Sequence, residues 1–128
     1  FPGKQTPAIL HTVPKLKSIF DCMLQHMEHV MNYKFDIKNA WVNWTNGKDE
    51  DLNWHIHLCH YSMVYYMSSF NCGTLFRDKF IETELNSLII FPGSMEHTAP
   101  TSPSRIDRYT LAMELNFNYE ILFKGLES

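Results

Sequence analysis

The periodicity of this chain changes once, near Tyr33, and that change limits the fold more than any other feature. Before it, Leu16, Ile19, Phe20, Met23, Leu24, Met27, Val30 and Met31 recur at helical spacing, with Lys15, Lys17, Asp21, Gln25 and Glu28 off the stripe. That pattern makes an amphipathic helix. Thr12 is read as its cap and Pro14 as a first-turn residue, where a missing N–H does no harm, so the helix is expected over about 13–33. Beyond Tyr33, short runs rich in β-branched and aromatic residues are separated by turn residues. They are "DIKNAWVNWT" ended by "NGKDED", "WHIHL", "YSMVYYMSS", "GTLFRD" reached through a hairpin at "NCG", "SLIIF" closed by "PGS", and "MEHTA". Past the loop "PTSPS" comes the longest, "DRYTLAMELNFNY". One helix followed by about eight short strands predicts a mainly β chain, an antiparallel sandwich or barrel of the jelly-roll kind over about 35–119, with the helix on one outer face.

With 128 residues the chain is expected to form one domain, and 45% hydrophobic residues give it enough apolar surface for a core. The methionine-rich helical face is read as packing on that core rather than as a partner groove, with His26 and His29 partly exposed beside it. A net charge of -3 and no dense Lys/Arg run leave no nucleic-acid signature. Three cysteines, Cys22, Cys59 and Cys72, are odd in number and lack CxxC spacing, so buried reduced thiols in a cytoplasmic setting are expected, without a disulfide framework or thiolate zinc. The apolar runs are too short for a membrane span or a signal segment. Phe1 at the start is read as the mark of a processed or trimmed chain.

The stretch "NWHIHLCHYSMVYY" carries three histidines. Side chains two apart in a strand share a face, so His55 and His57 converge while Trp54, Ile56 and Leu58 take the other side. Such a pair can chelate a first-row transition metal; His60 is out of phase. His97 follows the turn "FPGSM", and Arg108 stands eleven positions later. On the last strand Arg108, Thr110 and Ala112 share a face opposite Tyr109, Leu111, Met113, Leu115 and Phe117. An arginine with small neighbours faces space, and inside a barrel that space would hold an anion.

Together, "HIH" and "FPGSMEHTAPTSPSRIDRYTLAMELNF" resemble the double-stranded β-helix core of the Fe(II)/2-oxoglutarate-dependent oxygenases. Within them the similarity is to a small prolyl-hydroxylase-like group, in which a histidine pair precedes an "S-x-V-Y-Y" strand and a "FP…H" turn and an arginine close the site. The resemblance runs from about Trp41 to Phe117. It implies Fe(II) as cofactor and 2-oxoglutarate as co-substrate, with His55 and His97 as iron ligands. Arg108 would pair with the distal carboxylate of 2-oxoglutarate, assisted by the hydroxyl of Thr110. Where that superfamily has His-x-Asp/Glu, this chain has His57 at the carboxylate position. His57 either ligates directly, stands off with a water in its place, or marks a silent site; the three-histidine centre is the favoured reading. Tyr65 or Asn43 would hydrogen-bond the co-substrate, and Arg105 is a competing anion anchor. Trp41, Trp54, Tyr65 and Phe91 are candidate walls. The substrate would be a small molecule or a peptide, a free or peptidyl amino acid among them, selected by the loops "NGKDED" and "RDKFIETELN". Two alternatives stand beside this reading. One is a metal cupin working without 2-oxoglutarate, although "LCHYSMV" lacks the carboxylate that pattern wants. The other is a metal-free barrel acting as a binding module.

Overall fold

The computed structural model describes residues 4–45, 52–68, 72–100 and 106–120. In chain order they form β1 (Lys4–Gln5), α1 (Lys17–Met31), β2 (Phe35–Thr45), β3 (Tyr61–Tyr66), β4 (Gly73–Phe76), β5 (Phe80–Glu82), β6 (Leu88–Pro92), β7 (His97–Thr98) and β8 (Arg108–Phe117). Two antiparallel sheets result, one of five strands in the order β1-β2-β8-β3-β6 and one of three in the order β5-β4-β7. This is the jelly-roll architecture with one covering helix, open rather than closed into a barrel among the described residues.

Strand alternation decides where the core lies. Leu111, Met113 and Leu115 of β8 face the same side as Val42, Ala40 and Ile37 across the ladder, and there they meet Phe20 and Met27 of α1. A bulge at Lys38 makes this possible: it lets Ile37 and Ala40, three residues apart, both reach the core side, and sends Asn39 to the other. Met27, Met63, Met113 and Leu115 are fully buried, each stabilising the fold by about 1.5–3 kcal/mol. The opposite face of the large sheet looks across a cavity at the small one.

Several local expectations change. The Thr12 hydroxyl donates to the Ile9 carbonyl at 2.6 Å and caps nothing; two 3-10 turns, Leu10–Thr12 and Pro14–Leu16, precede α1. The helix ends at Asn32 in the left-handed conformation, its N–H on the Glu28 carbonyl. "WHIHL" is extended but not a ladder strand: it makes a single bridge, His55 to His97. No β3–β4 hairpin forms, because the chain changes sheets there and β4 pairs with β5 instead. The stretch "RDKFIETELN", read as a loop, contains β5. Only Cys72 is buried; Cys22 is exposed and Cys59 half-buried, and all three are free thiols. Of the helical stripe, Ile19 and Val30 stay exposed. The loop "NGKDED" and residues 101–105, which hold all of "PTSPS" but its first proline and also Arg105, lie outside the described residues.

Candidate metal centre

Backbone pairing to the small sheet brings the "HIH" segment into place. His55 and His97 exchange N–H···O bonds at 3.1 Å each, and the His57 N–H donates to the Gly93 carbonyl at 2.8 Å. The alternation then aims His55 and His57 inward and leaves Ile56 and Leu58 exposed. Trp54 lies on the outer side beneath the Arg77 guanidinium, 4.1 Å from its ring centre, and so is not a cavity wall. Gly93 permits this approach: a Cβ there would stand 2.4 Å from the Cys59 carbonyl and 2.9 Å from that of His57. Gly93→Ala is therefore expected to destabilise the chain by about 1–3 kcal/mol, the usual cost of overpacking, and to weaken metal binding by moving His57. A thermal melt and a Co(II) titration check both parts; an unchanged melting curve removes the close-approach argument.

The three imidazoles form one cluster. His55, His57 and His97 each offer a ring nitrogen, all within 4.8 Å of one another, with ring centres 4.3–5.0 Å apart. Their outer nitrogens are all held by oxygen acceptors: His55 Nδ1 by the Asn53 carbonyl at 2.7 Å, His57 Nδ1 by a Glu114 carboxylate oxygen at 2.9 Å, and His97 Nδ1 by the Met95 carbonyl at 2.9 Å. An acceptor-only oxygen requires the proton on Nδ1, so each neutral ring keeps its Nε2 lone pair. His57 Nε2 and His97 Nε2 lie 3.2 Å apart, two lone pairs facing each other. A cation relieves that opposition, since two nitrogens each about 2.1 Å from one ion lie about 3.0–3.4 Å apart at angles between right and tetrahedral. Burial pushes the pKa of His97 down to about 4, against the bond to Met95 that raises it. His57 is lowered by burial too, opposed by its bond to Glu114. Both rings therefore stay neutral near pH 7, as metal ligation demands.

The same cavity, about 390 Å³, carries a second group of polar residues. Arg108, Thr110 and Ala112 line it from β8, with Asn43 and Trp41 from β2 and Thr74 from β4. Arg108 is 6% exposed; its Nη2 donates to the Gly73 carbonyl at 2.8 Å, and the guanidinium sits 5.9 Å from the Tyr66 ring centre. Burial lowers its pKa, yet a guanidinium remains charged at neutral pH. Asn43 lies across from Thr110 in the ladder, and its Oδ1 accepts from Trp41 Nε1 at 3.1 Å. Of the other candidate walls, Trp41 lines the cavity 5.7 Å from His57, whereas Phe91 packs edge-on to His97 at 4.7 Å between ring centres without lining it.

Tyr65 is not part of the cavity. It faces the helix side, and its hydroxyl donates to Asn86 Oδ1 at 2.9 Å. The pairing of Tyr66 with Thr110 turns Tyr66 instead toward the cavity side, where its hydroxyl bonds Thr74 Oγ1 at 2.6 Å. His60 is apart from the cluster: its Nδ1 accepts from the Phe117 N–H at 3.0 Å, so its Nε2–H donates to the Tyr119 hydroxyl at 3.1 Å. Sequence reasoning did not single out Glu114, Asn39, Tyr66 or Thr74 for the site. For Glu114 a signal was available, since it continues the Arg108, Thr110, Ala112 face by one more alternate position.

No protein-family profile matches the chain, and no curated protein matches it in sequence. Solved structures do share its shape. An oxidoreductase of the 2OG-Fe(II) oxygenase family from Burkholderia pseudomallei superposes with a TM-score of 0.65 at 11% identity, over 81% of this chain. The chain spans 59% of the length of that protein. A cupin domain from Bordetella pertussis matches at a TM-score of 0.47 and 13% identity, over 66% of this chain and 93% of its own. A cupin-2 domain protein from Shewanella frigidimarina matches at 0.43 and 19%, over 62% and 72% respectively. At such identities the first of these establishes the jelly-roll fold and nothing about chemistry. Among the described residues no helix is long and apolar enough to cross a membrane.

Proposed function

We propose that this chain is an Fe(II)- and 2-oxoglutarate-dependent oxygenase that hydroxylates a small molecule or an amino-acid residue. Its iron ligands are His55, His57 and His97, and its co-substrate anchor is Arg108 with Thr110. One observation carries the reading: three imidazoles, each offering a ring nitrogen to one point, and a buried guanidinium line one cavity. The donor set suits the cofactor, because neutral imidazole binds first-row divalent ions and leaves coordination positions open.

Bound there, iron with 2-oxoglutarate supplies oxygen activation coupled to decarboxylation to succinate, chemistry that belongs to the cofactor. The chain's own part is positioning and shelter. Carbonyl and carboxylate acceptors fix the three rings by their outer nitrogens. Arg108 and Thr110 bind the distal carboxylate, and the small Ala112 beside them leaves room for it. Asn43, its Oδ1 engaged by Trp41, offers the amide NH2 as a further donor to the co-substrate. Trp41 and Phe91 cover two of the imidazoles and keep water from them.

The test is an anaerobic titration of the chain with Fe(II) and then 2-oxoglutarate. A weak visible charge-transfer band, given when 2-oxoglutarate chelates Fe(II) through two oxygens, is the expected result. Iron binding without the band turns the assignment to a metal oxygenase that does not use 2-oxoglutarate, and no iron binding removes the metal reading altogether.

A further inference from the structure

A three-histidine centre lacks the negative ligand of a His-x-carboxylate site, and the structure brings a carboxylate to the back of the ligand that replaces it. Glu114 stands in β8 opposite Asn39 of β2 and Ser62 of β3. Its Oε2 accepts from His57 Nδ1 at 2.9 Å, and its Oε1 accepts from Asn39 Nδ2 at 2.6 Å. Both side chains of the His57–Glu114 pair are largely buried, at 14% and 13% exposure, so water screens their interaction poorly. The other two histidines are backed by neutral carbonyls; His57 alone is backed by a charge. The bulge at Lys38 is what sends Asn39 to this side of the sheet, so the anchor of Glu114 is built into the backbone.

We infer that Glu114, held by Asn39, is a positioning residue that supplies through the His57 ring the negative charge which a carboxylate ligand at position 57 would have given the metal. The inference rests on the metal reading above. A carboxylate accepting from Nδ1 makes the imidazole more basic at Nε2 and favours the higher charge state of a bound ion.

Glu114→Gln tests charge apart from geometry. The Asn39 amide can turn over and offer its carbonyl to the new NH2, so both hydrogen bonds survive while the charge is lost. With Co(II) as the visible probe, Glu114→Gln is expected to weaken binding about 10–100-fold, the range for losing an outer partner of a ligand. With bound iron, the Fe(III)/Fe(II) midpoint potential is expected to rise, which a merely structural role would not produce. The same change made in a His57→Asp background is expected to alter Co(II) affinity less than about threefold, or to improve it, because the carboxylate then sits on the metal and Glu114 only repels it. Asn39→Ala, which keeps the charge and removes its anchor, is expected to lose affinity severalfold, and it serves as the second variant should Glu114→Gln not fold. Unchanged Co(II) affinity in Glu114→Gln, or in Asn39→Ala where Glu114→Gln does not fold, overturns the inference and leaves the metal centre standing. An equal loss in both backgrounds overturns it as well, by making Glu114 a structural support. A parent chain that binds neither Co(II) nor Fe(II) removes the metal reading itself, and this inference with it.

Discussion

Replacing His97 by alanine is expected to weaken Co(II) or Fe(II) binding by at least about a hundredfold and to leave the chain folded. The loss should exceed the 10–100-fold typical of an outer partner, because a ligand is removed rather than tuned. His97 is also the member that links the cluster: its backbone bridges His55, and its Nε2 faces that of His57. Without it, two histidines on one extended segment remain, with no third donor from the small sheet. Folding is affected in two opposite directions. The alanine forfeits ring contacts with Phe91 and Phe76, but it also removes one of two opposed lone pairs from a buried site. His60→Ala is the matched control. Both nitrogens of that ring already hold other partners, so metal affinity should be unchanged while the contacts to Phe117 and Tyr119 are lost. Visible absorption during Co(II) titration, with a melting curve for each variant, measures both quantities. Retained affinity in His97→Ala would take the three-histidine cluster out of the metal reading.

The large sheet and the helix were legible because each rests on a simple period. The stripe from Phe20 to Met27 has helical spacing, β2 and β8 alternate in the way a sheet with two distinct faces requires, and β3 and β6 are short β-branched and aromatic runs. Position within the sheet was less legible. The segment "WHIHL" alternates like any strand, but alternation reports which way side chains point and not whether a full ladder runs alongside. The hairpin expected at "NCG" failed for a related reason. Turn residues announce a reversal, and nothing local distinguishes a return to the same sheet from a step into the other. Thr12 looked like a cap because its type and place were right, and only the structure shows its hydroxyl turned back to Ile9.

For the site, parity carried the reasoning part of the way. It put His55 with His57 and Arg108 with Thr110 and Ala112, but it does not say whether Tyr65, the candidate, or its neighbour Tyr66 faces inward. That choice depends on register across β3 and β8, where Tyr66 meets Thr110, and register is a property of two strands. The same parity puts Glu114 on the Arg108 face, but its meeting with His57, 57 residues away, is again a matter of register that no spacing rule gives.

Arg108→Ala is expected to raise the 2-oxoglutarate concentration needed for the charge-transfer band by about 30-fold to a few thousandfold, with Fe(II) affinity unchanged. Truncating one partner of a buried charged pair costs about 2–5 kcal/mol, and each 1.4 kcal/mol is about tenfold. At 6% exposure the guanidinium belongs to that buried class and not to the weak surface pairs. Arg108→Lys should fall between, since an ammonium keeps the charge but cannot present two parallel N–H groups to a carboxylate. The effect must come from the distal carboxylate to support the assignment, and a truncated co-substrate isolates it. 2-Oxobutyrate keeps the 2-oxo acid end that chelates iron and has no second carboxylate, so the parent and Arg108→Ala should bind it alike. A variant that loses both compounds equally would mean that removing Arg108, which also bonds the Gly73 carbonyl, has disturbed the cavity rather than unpaired an anion. A variant that loses neither would place the co-substrate carboxylate on another group and take Arg108 out of the co-substrate reading.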